Sequence, residues 1–481
     1  MKELLNSKSY KTFINFEKLN NIPRCSNHEE EVSAFLKNHA LNLGLEVQTD
    51  EHLNVLIKKP GTGDLANSTP VSLQAHFDMV CEKEADSCHD FLKDPIDMYI
   101  DDDYIKARGT TLGADNGLGV AMAMDILESD DILHPPLEVI LTATEETGMD
   151  GVIGLSDKWL TGKRLINLDT EDEGIMIIGC AGGINAYVEF PARYENIKGL
   201  VNKKISISGL KGGHSGLTIG GDQVNAIKLI GMLISKLKSS FNLKVQNLGG
   251  GTKHNAIPSE AFVILGIKPE DIKEFENKFE EISDNLISQY LKRESEMKIS
   301  IEDEKAYDIY LTSDTASHAI NLISLLPHGV NTMASSDEDM VESSNNLAIA
   351  EIINDRFKVS LSVRSSNLEQ KEVLLNKIKV VSEKIGAQVS FSDGYPMWQP
   401  NYDSTLAKIA EESYESLKGE KLQVKSIHAG LETGMLAEKY PEMDMISIGP
   451  NIFGAHTPKE RLSISSTEFT REFLIDILSR L

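Results

Sequence analysis

Val71-Ser72-Leu73-Gln74-Ala75-His76-Phe77-Asp78 reads as an apolar strand that runs out into a histidine and an aspartate. Side chains alternate along a strand, so His76 and Asp78 point to the same side. Two further apolar runs end in the same manner. Leu137-Glu138-Val139-Ile140-Leu141 leads to Thr144-Glu145-Glu146, and Arg164-Leu165-Ile166-Asn167-Leu168 ends at Asp169. Between these runs lie helical patterns, one over 28–43 closing at Gly44 and one over 120–127 behind the glycine-rich turn 113–119. Strands alternating with helices imply an α/β sheet, and such sheets place ligands beyond the carboxyl ends of their strands. His76, Glu145, Glu146 and Asp169 all stand at such ends.

With 481 residues the chain exceeds the size at which one hydrophobic core keeps growing, so at least two domains are expected. The middle part changes pattern. Strands at 203–209, 243–248 and 261–267 alternate with helices at 223–238 and 272–291, and a similar set recurs over 347–392. An antiparallel sheet with helices on one face suits this pattern. After Gly394-Tyr395-Pro396 the chain returns to helix (404–417), strand (445–448) and a final helix. The expected fold is therefore a discontinuous α/β domain, 1–185 and 396–481, interrupted by an α+β domain at 186–395.

The formal net charge of −26 excludes the basic surface that nucleic-acid binding requires. Residues Met1–Asn6 open no apolar run of a secretory signal, and the longest apolar stretches fall far short of the roughly 20 residues of a membrane span. Cys25, Cys81, Cys88 and Cys180 form no CxxC pair, so four reduced thiols in a cytoplasmic protein are expected.

Several segments carry chemistry. Alone, His76-Phe77-Asp78 is as consistent with a core histidine as with a ligand. Asp115, in Gly113-Ala114-Asp115-Asn116-Gly117, could equally belong to an ordinary Asn-Gly turn. Glu145 and Glu146 would face opposite ways on an extended strand, and both serve one site only if the chain turns there; a solvated acidic loop is the competing reading. Asp169 ends its strand, and His456 lies in the loop Gly454-Ala455-His456-Thr457-Pro458-Lys459-Glu460. Together, His76, Asp115, Glu146, Asp169 and His456 supply two imidazoles and three carboxylates. That set suits zinc, manganese or cobalt and is similar to two-metal hydrolase sites.

These five segments, in this order, resemble the aminoacylase/carboxypeptidase family of two-metal peptidases. The flanking text resembles its aminoacyl-histidine (Xaa-His) dipeptidase branch, through Leu168-Asp169-Thr170-Glu171-Asp172, Gly179-Cys180-Ala181-Gly182-Gly183, Lys211-Gly212-Gly213-His214-Ser215-Gly216 and His428-Ala429-Gly430-Leu431-Glu432. The resemblance implies hydrolysis of dipeptides, with N-acyl amino acid deacylation as the alternative within the family. A non-catalytic metal-binding scaffold is disfavoured because the base and every ligand are present. It implies that His76 and Asp169 hold one metal, that Glu146 and His456 hold the other, and that Asp115 bridges them. Asp78 would orient His76, and Glu145 would be the general base. The inserted domain would be a lid and dimerisation domain. In it, His214 would stabilise the oxyanion and Arg364 would pair with the substrate carboxylate; Asn255, Gly430 and Glu432 are weaker expected contacts.

Overall fold

The apolar run at 71–76 forms a strand that is buried along its whole length, within an eight-stranded sheet. The computed structural model describes residues 4–334, 337–392 and 394–481; Met1–Glu3, read above for a leader, lie outside them. The strands of this sheet are β1 (Glu46–Thr49), β2 (Val55–Lys59), β3 (Val71–His76), β4 (Leu137–Thr142), β5 (Arg164–Asn167), β6 (Ile175–Cys180), β7 (Gln423–Ile427) and β8 (Asp444–Ser447). Their spatial order is β1-β2-β4-β3-β5-β8-β6-β7. The central four, β4, β3, β5 and β8, run parallel, with His76 opposite Thr142, Gln74 opposite Asn167 and Asn167 opposite Ser447. Strands covered on both faces need continuous apolar runs, which is why these segments show no alternation. The register lines up their carboxyl ends on one edge, the edge where His76, Glu145 and Asp169 emerge.

The chain forms two compact units. The first comprises residues up to Cys180, Trp398–Ser426 and Leu431–Leu481; the second comprises Ala181–Met397 and Ile427–Gly430. Residues 181–185, 396–397 and 427–430, expected in the first domain, thus fold with the second. The physical reason is hydrogen bonding: the Gly182–Pro191 strand pairs along its whole length with Arg356–Ser365, and Ala181 N donates to Ile427 O at 3.0 Å.

In the first unit, helices Tyr10–Asn20, Glu30–Asn42, Ala114–Glu128, Thr405–Lys418 and Ile464–Ser479 share one apolar core with the sheet. One ion pair, with its carboxylate fully buried, ties three of them together. Asp125 accepts from Thr12 Oγ1 at 2.7 Å and from Arg471 Nε at 2.6 Å.

The second unit is a nine-stranded antiparallel sheet with helices Ala226–Lys238, Ile272–Tyr290, Ser313–Leu325 and Leu368–Lys384 in a common core. Its longest strand, Asp337–Ile353, folds back into Arg356–Ser365 through Asn354 and Asp355, at φ 50° and 54°. A two-residue hairpin needs such left-handed positions, and Asn and Asp tolerate them.

Among the described residues no helix is long and apolar enough to cross a membrane. The cysteine expectation is corrected in part. Cys25 runs alongside Met79 in a parallel bridge and is joined to Cys81, with Cα atoms 5.7 Å apart, while Cys88 and Cys180 are free thiols.

Asp125→Ala would leave Arg471 and Thr12 facing an empty buried site. A loss of about 3 kcal/mol is expected, measurable as a lower urea midpoint for the first unfolding transition of the full chain.

Candidate metal centre

Beyond β3 the chain carries Asp78, and this carboxylate does two things. Its Oδ1 lies 3.4 Å from His76 Nδ1 and accepts from Glu145 N at 3.0 Å. Its Oδ2 accepts from Ser26 Oγ at 2.7 Å and Glu146 N at 3.2 Å. Asp78 thus stands against the imidazole and caps the first amides of a short helical turn, Glu145–Gly148. Thr144 makes that turn by adopting φ 59°, and Glu29 Oε1 fixes it by accepting from both Thr144 N and Thr144 Oγ1 at 3.1 Å. The adjacent acids Glu145 and Glu146 therefore leave the extended geometry that would have pointed them apart.

Asp115 is positioned by residues that sequence reasoning missed. The helix begins inside the glycine run, at Ala114, but Asp115 and Asn116 depart from helical angles. A Cβ at Gly113 or Gly117 would collide with the buried guanidinium of Arg24, so this motif is glycine-bounded for packing reasons. Arg24 donates to Gly113 O at 2.7 Å and to Phe77 O at 3.0 Å, joining the Asp115 loop to the end of β3. From the other side the Glu460 carboxylate accepts from four successive amides, Leu112, Gly113, Ala114 and Asp115, at 2.7, 3.0, 2.7 and 3.3 Å. Glu460 closes the loop quoted for His456, but no local pattern announces a contact so distant in sequence.

The expected ligand side chains converge in the first unit. His76 Nε2 lies 3.2 Å from Asp115 Oδ1 and 3.4 Å from Asp169 Oδ1. His456 Nε2 lies 3.0 Å from Asp115 Oδ2 and 2.9 Å from Glu146 Oε1. Donor atoms of His76, Asp115 and Glu146 all fall within 4.8 Å of one another. The two oxygens of one carboxylate thus serve two separate His–acid pairs. This donor set fits two divalent ions sharing Asp115.

Glu432 corrects an expectation. It was read as a substrate contact, but it is 0% exposed. Its Oε2 accepts from Gln74 Nε2 at 2.5 Å and Thr142 Oγ1 at 2.7 Å. Gln74 Oε1 accepts in turn from Asn167 Nδ2 at 2.5 Å, and Asn167 Oδ1 accepts from Asp169 N at 3.2 Å. This polar chain lies beneath the strand ends and links the segments bearing His76, Glu145 and Asp169.

The second unit gathers the remaining candidates. His214 Nδ1 accepts from Gly216 N at 3.3 Å and Leu217 N at 3.2 Å, and Asn255 O accepts from Ser215 N at 2.8 Å, so His214 and Asn255 stand on linked loops. Arg364 is buried and donates to Tyr395 Oη at 2.5 Å; Tyr395 also packs against Gly430. His428, not singled out from sequence, is buried nearby with Nε2 2.7 Å from Ser344 Oγ.

Residues 72–480 match the model of Peptidase family M20/M25/M40. The chain belongs to this family. It is 37% identical over 470 residues to the cytosol non-specific dipeptidase of Escherichia coli (strain K12), covering 97% of this chain and 96% of that one. It superposes on the crystal structure of aminoacylhistidine dipeptidase from Vibrio alginolyticus with a TM-score of 0.91 at 35% identity, covering 100% and 99% of the two chains. The structure of aminopeptidase PepT from Bacillus cereus, with TM-score 0.57, 16% identity and 98% of each chain covered, shares the fold.

Electrostatics at this M20 site follow from burial and proximity. Burial alone would raise Asp115, but hydrogen bonds from His456 and His76 outweigh it and hold the carboxyl well below its usual range. The hydrogen bonds that His456 donates to Asp115 and Glu146 push its own pKa up to about 11. Burial raises Glu145 well above an ordinary glutamate, and the charges of Asp169, Glu146 and Glu432 add to it. Glu171 is pushed to about 8, first by burial and then by Asp115 and Asp169.

Two outcomes are expected. A ligand imidazole must be neutral, so ion uptake displaces the protons that His76 and His456 hold between the acids. Apparent metal affinity therefore rises with pH, and chelator competition between about pH 6 and 8 should release protons as metal binds; a pH-independent affinity would contradict this. Glu460→Ala should weaken metal binding roughly 10- to 100-fold by freeing the Asp115 loop, read in the same competition assay.

Proposed function

We propose that this protein is a two-metal dipeptidase that hydrolyses free dipeptides of broad sequence, Xaa-His pairs such as carnosine included. The observation that carries the reading is the division of Asp115 between two His–acid pairs, with the Glu145 carboxyl beside them making no hydrogen bond or ion pair among the described residues. The names of the relatives, a cytosol non-specific dipeptidase and an aminoacylhistidine dipeptidase, support the substrate class and a cytoplasmic location.

In this reading His76 and Asp169 would hold one ion, Glu146 and His456 would hold the other, and Asp115 would serve both. Zinc is the proposed metal, with manganese or cobalt served by the same donors. When bound, two such ions supply Lewis-acid polarisation of the scissile carbonyl and acidify water. Glu145 takes the proton of the attacking water as its oxygen adds to the peptide carbonyl. Glu145 then delivers that proton to the leaving amine as the C–N bond breaks. Asp78 keeps His76 oriented and the Glu145 turn in place.

His214 is suited to stabilise the developing oxyanion. Its Nδ1 is an acceptor for two amides, so a neutral ring carries its proton on Nε2, and burial together with Arg364 lowers its pKa, keeping it neutral. Arg364, steadied by Tyr395, suits the planar carboxylate at the far end of a dipeptide, with Asn255 and Gly430 nearby on the same unit. Exposed Met232, Leu325, Val330 and Met333 on the second unit are consistent with its being the homodimer surface.

Glu145→Gln should lower turnover of a free dipeptide by roughly 10²- to 10⁴-fold while leaving two metal equivalents bound. Purified, metal-reconstituted protein incubated with a dipeptide panel and N-acetylated controls tests the substrate class. Chelator-sensitive release of amino acids from the free dipeptides alone is expected; cleavage of only the acylated controls would make the protein a deacylase.

A further inference from the structure

Arg364 stands in a closed circuit of contacts inside the second unit. Strand register places it opposite Ser344 on one side and Gly183 on the other. Val363 points into the helix-covered core, so alternation puts Arg364 on the opposite face, with its cross-strand partner Ser344. Gly183 brings no side chain, and the Tyr395 ring fills that room; a Cβ there would collide with it. Tyr395 is pinned to Gly183 by two backbone hydrogen bonds, 2.8 and 3.1 Å long, and its Oη accepts from Arg364. The strap 427–430 closes the circuit. Gly430 abuts another edge of the Tyr395 ring, where a Cβ would come within 2.7 Å of Cε2. Two residues earlier, His428 Nε2 meets Ser344 Oγ at 2.7 Å. The Ser344 hydroxyl is buried with no other partner among the described residues, so its hydrogen goes to the ring. Burial, and then the charge of Arg364, lowers His428 to about 4, which keeps Nε2 an acceptor.

We propose that His428 is a positioning residue for substrate recognition: docked on Ser344, it holds the strap 427–430 against the Tyr395 ring and thereby fixes the angle of the Arg364 guanidinium. This rests on the dipeptidase reading, in which Arg364 receives the terminal carboxylate. An arginine has a long, flexible stem, and paired recognition of a planar carboxylate needs it held within narrow limits. Arg364 has little else to hold it. Its Nε is buried without a partner, and the one hydrogen bond of its guanidinium among the described residues goes to Tyr395. Whatever sets the tilt of the Tyr395 ring therefore sets the arginine. The ring meets Gly183, which is fixed in the sheet, and Gly430, which is fixed only as well as the strap is. Ile427 O, accepting from Ala181 N, ties the strap at its start, and His428 is the side chain that ties its middle. The strap also touches the loop of the oxyanion histidine: a Cβ at Gly216 would lie 2.6 Å from His428 O and 3.1 Å from the His214 ring. General collapse of the strap would reach His214 and lower kcat, whereas a tilted Arg364 raises KM.

The test uses the full-length, metal-reconstituted protein and its His428→Asn, His428→Gln and Ser344→Ala variants. Alanyl-alanine is the substrate, and alanyl-alaninamide, whose carboxylate is replaced by an uncharged amide, is the competitor. His428→Asn should raise KM for alanyl-alanine roughly 10- to 100-fold, with kcat, metal content and the inhibition constant of the amide little changed. His428→Gln, whose longer amide can still reach the Ser344 hydroxyl, should recover part of that loss. Ser344→Ala should show a smaller loss of the same kind, and it carries the test if His428→Asn does not fold. Equal weakening of both compounds, a fall in kcat in place of the rise in KM, or variants indistinguishable from the wild type would overturn the assignment. A wild-type protein inert toward every free dipeptide would instead remove the dipeptidase reading, and this inference with it.

Discussion

The centre depends on one carboxylate being in two places at once. Asp115 offers Oδ1 to His76, which also meets Asp169, and Oδ2 to His456, which also meets Glu146, so both halves of the site share a single anchor. A shift of that side chain would disturb both His–acid pairs together. Its backbone is accordingly held from two directions, by Glu460 through four amides and by Arg24 through the Gly113 carbonyl. Arg24 and Glu460 are oppositely charged and both buried, and each compensates part of the other's desolvation.

Beneath this lies a second polar layer. Gln74, Asn167 and Thr142 fill strand positions where an all-apolar parallel sheet would place valine or isoleucine, and Glu432, at the start of the helix Glu432–Lys439, meets them. Hydrogen bonds are directional where apolar contacts are not, so this layer fixes the relative height of the strand ends from which His76, Glu145 and Asp169 project.

What could be read in the sequence was local. Apolar runs ending in His76, Glu145 and Asp169 announced parallel strands and their productive edge, because burial on both faces leaves a compositional trace. Helices with strong apolar periodicity, such as Ala226–Lys238, were also legible. The helix Ser313–Leu325 and the long strand Asp337–Ile353 were not, since the first is short of apolar contrast and the second is rich in serine and asparagine that face other chain segments. Among site residues, those carrying ligand chemistry stood out by type and order. Arg24, Glu460 and Glu432 did not, because an arginine or glutamate gives no sign in sequence that it will be buried on polar groups far away along the chain. Glu432 was noticed, but its burial reversed the role first read for it.

The chain crosses between the two units four times, at 180/181, 397/398, 426/427 and 430/431, and the last visit is only four residues long. Those residues are not incidental: Ile427 O accepts from Ala181 N, and His428 meets Ser344. During vectorial synthesis, domains ordinarily mature in the order in which they leave the ribosome. Here the second unit stays open until residues near 430 have been made, and the first lacks its central strand β8 until a little later. The two halves of the molecule therefore finish almost together, and each nascent unit waits on a segment encoded on the far side of the other.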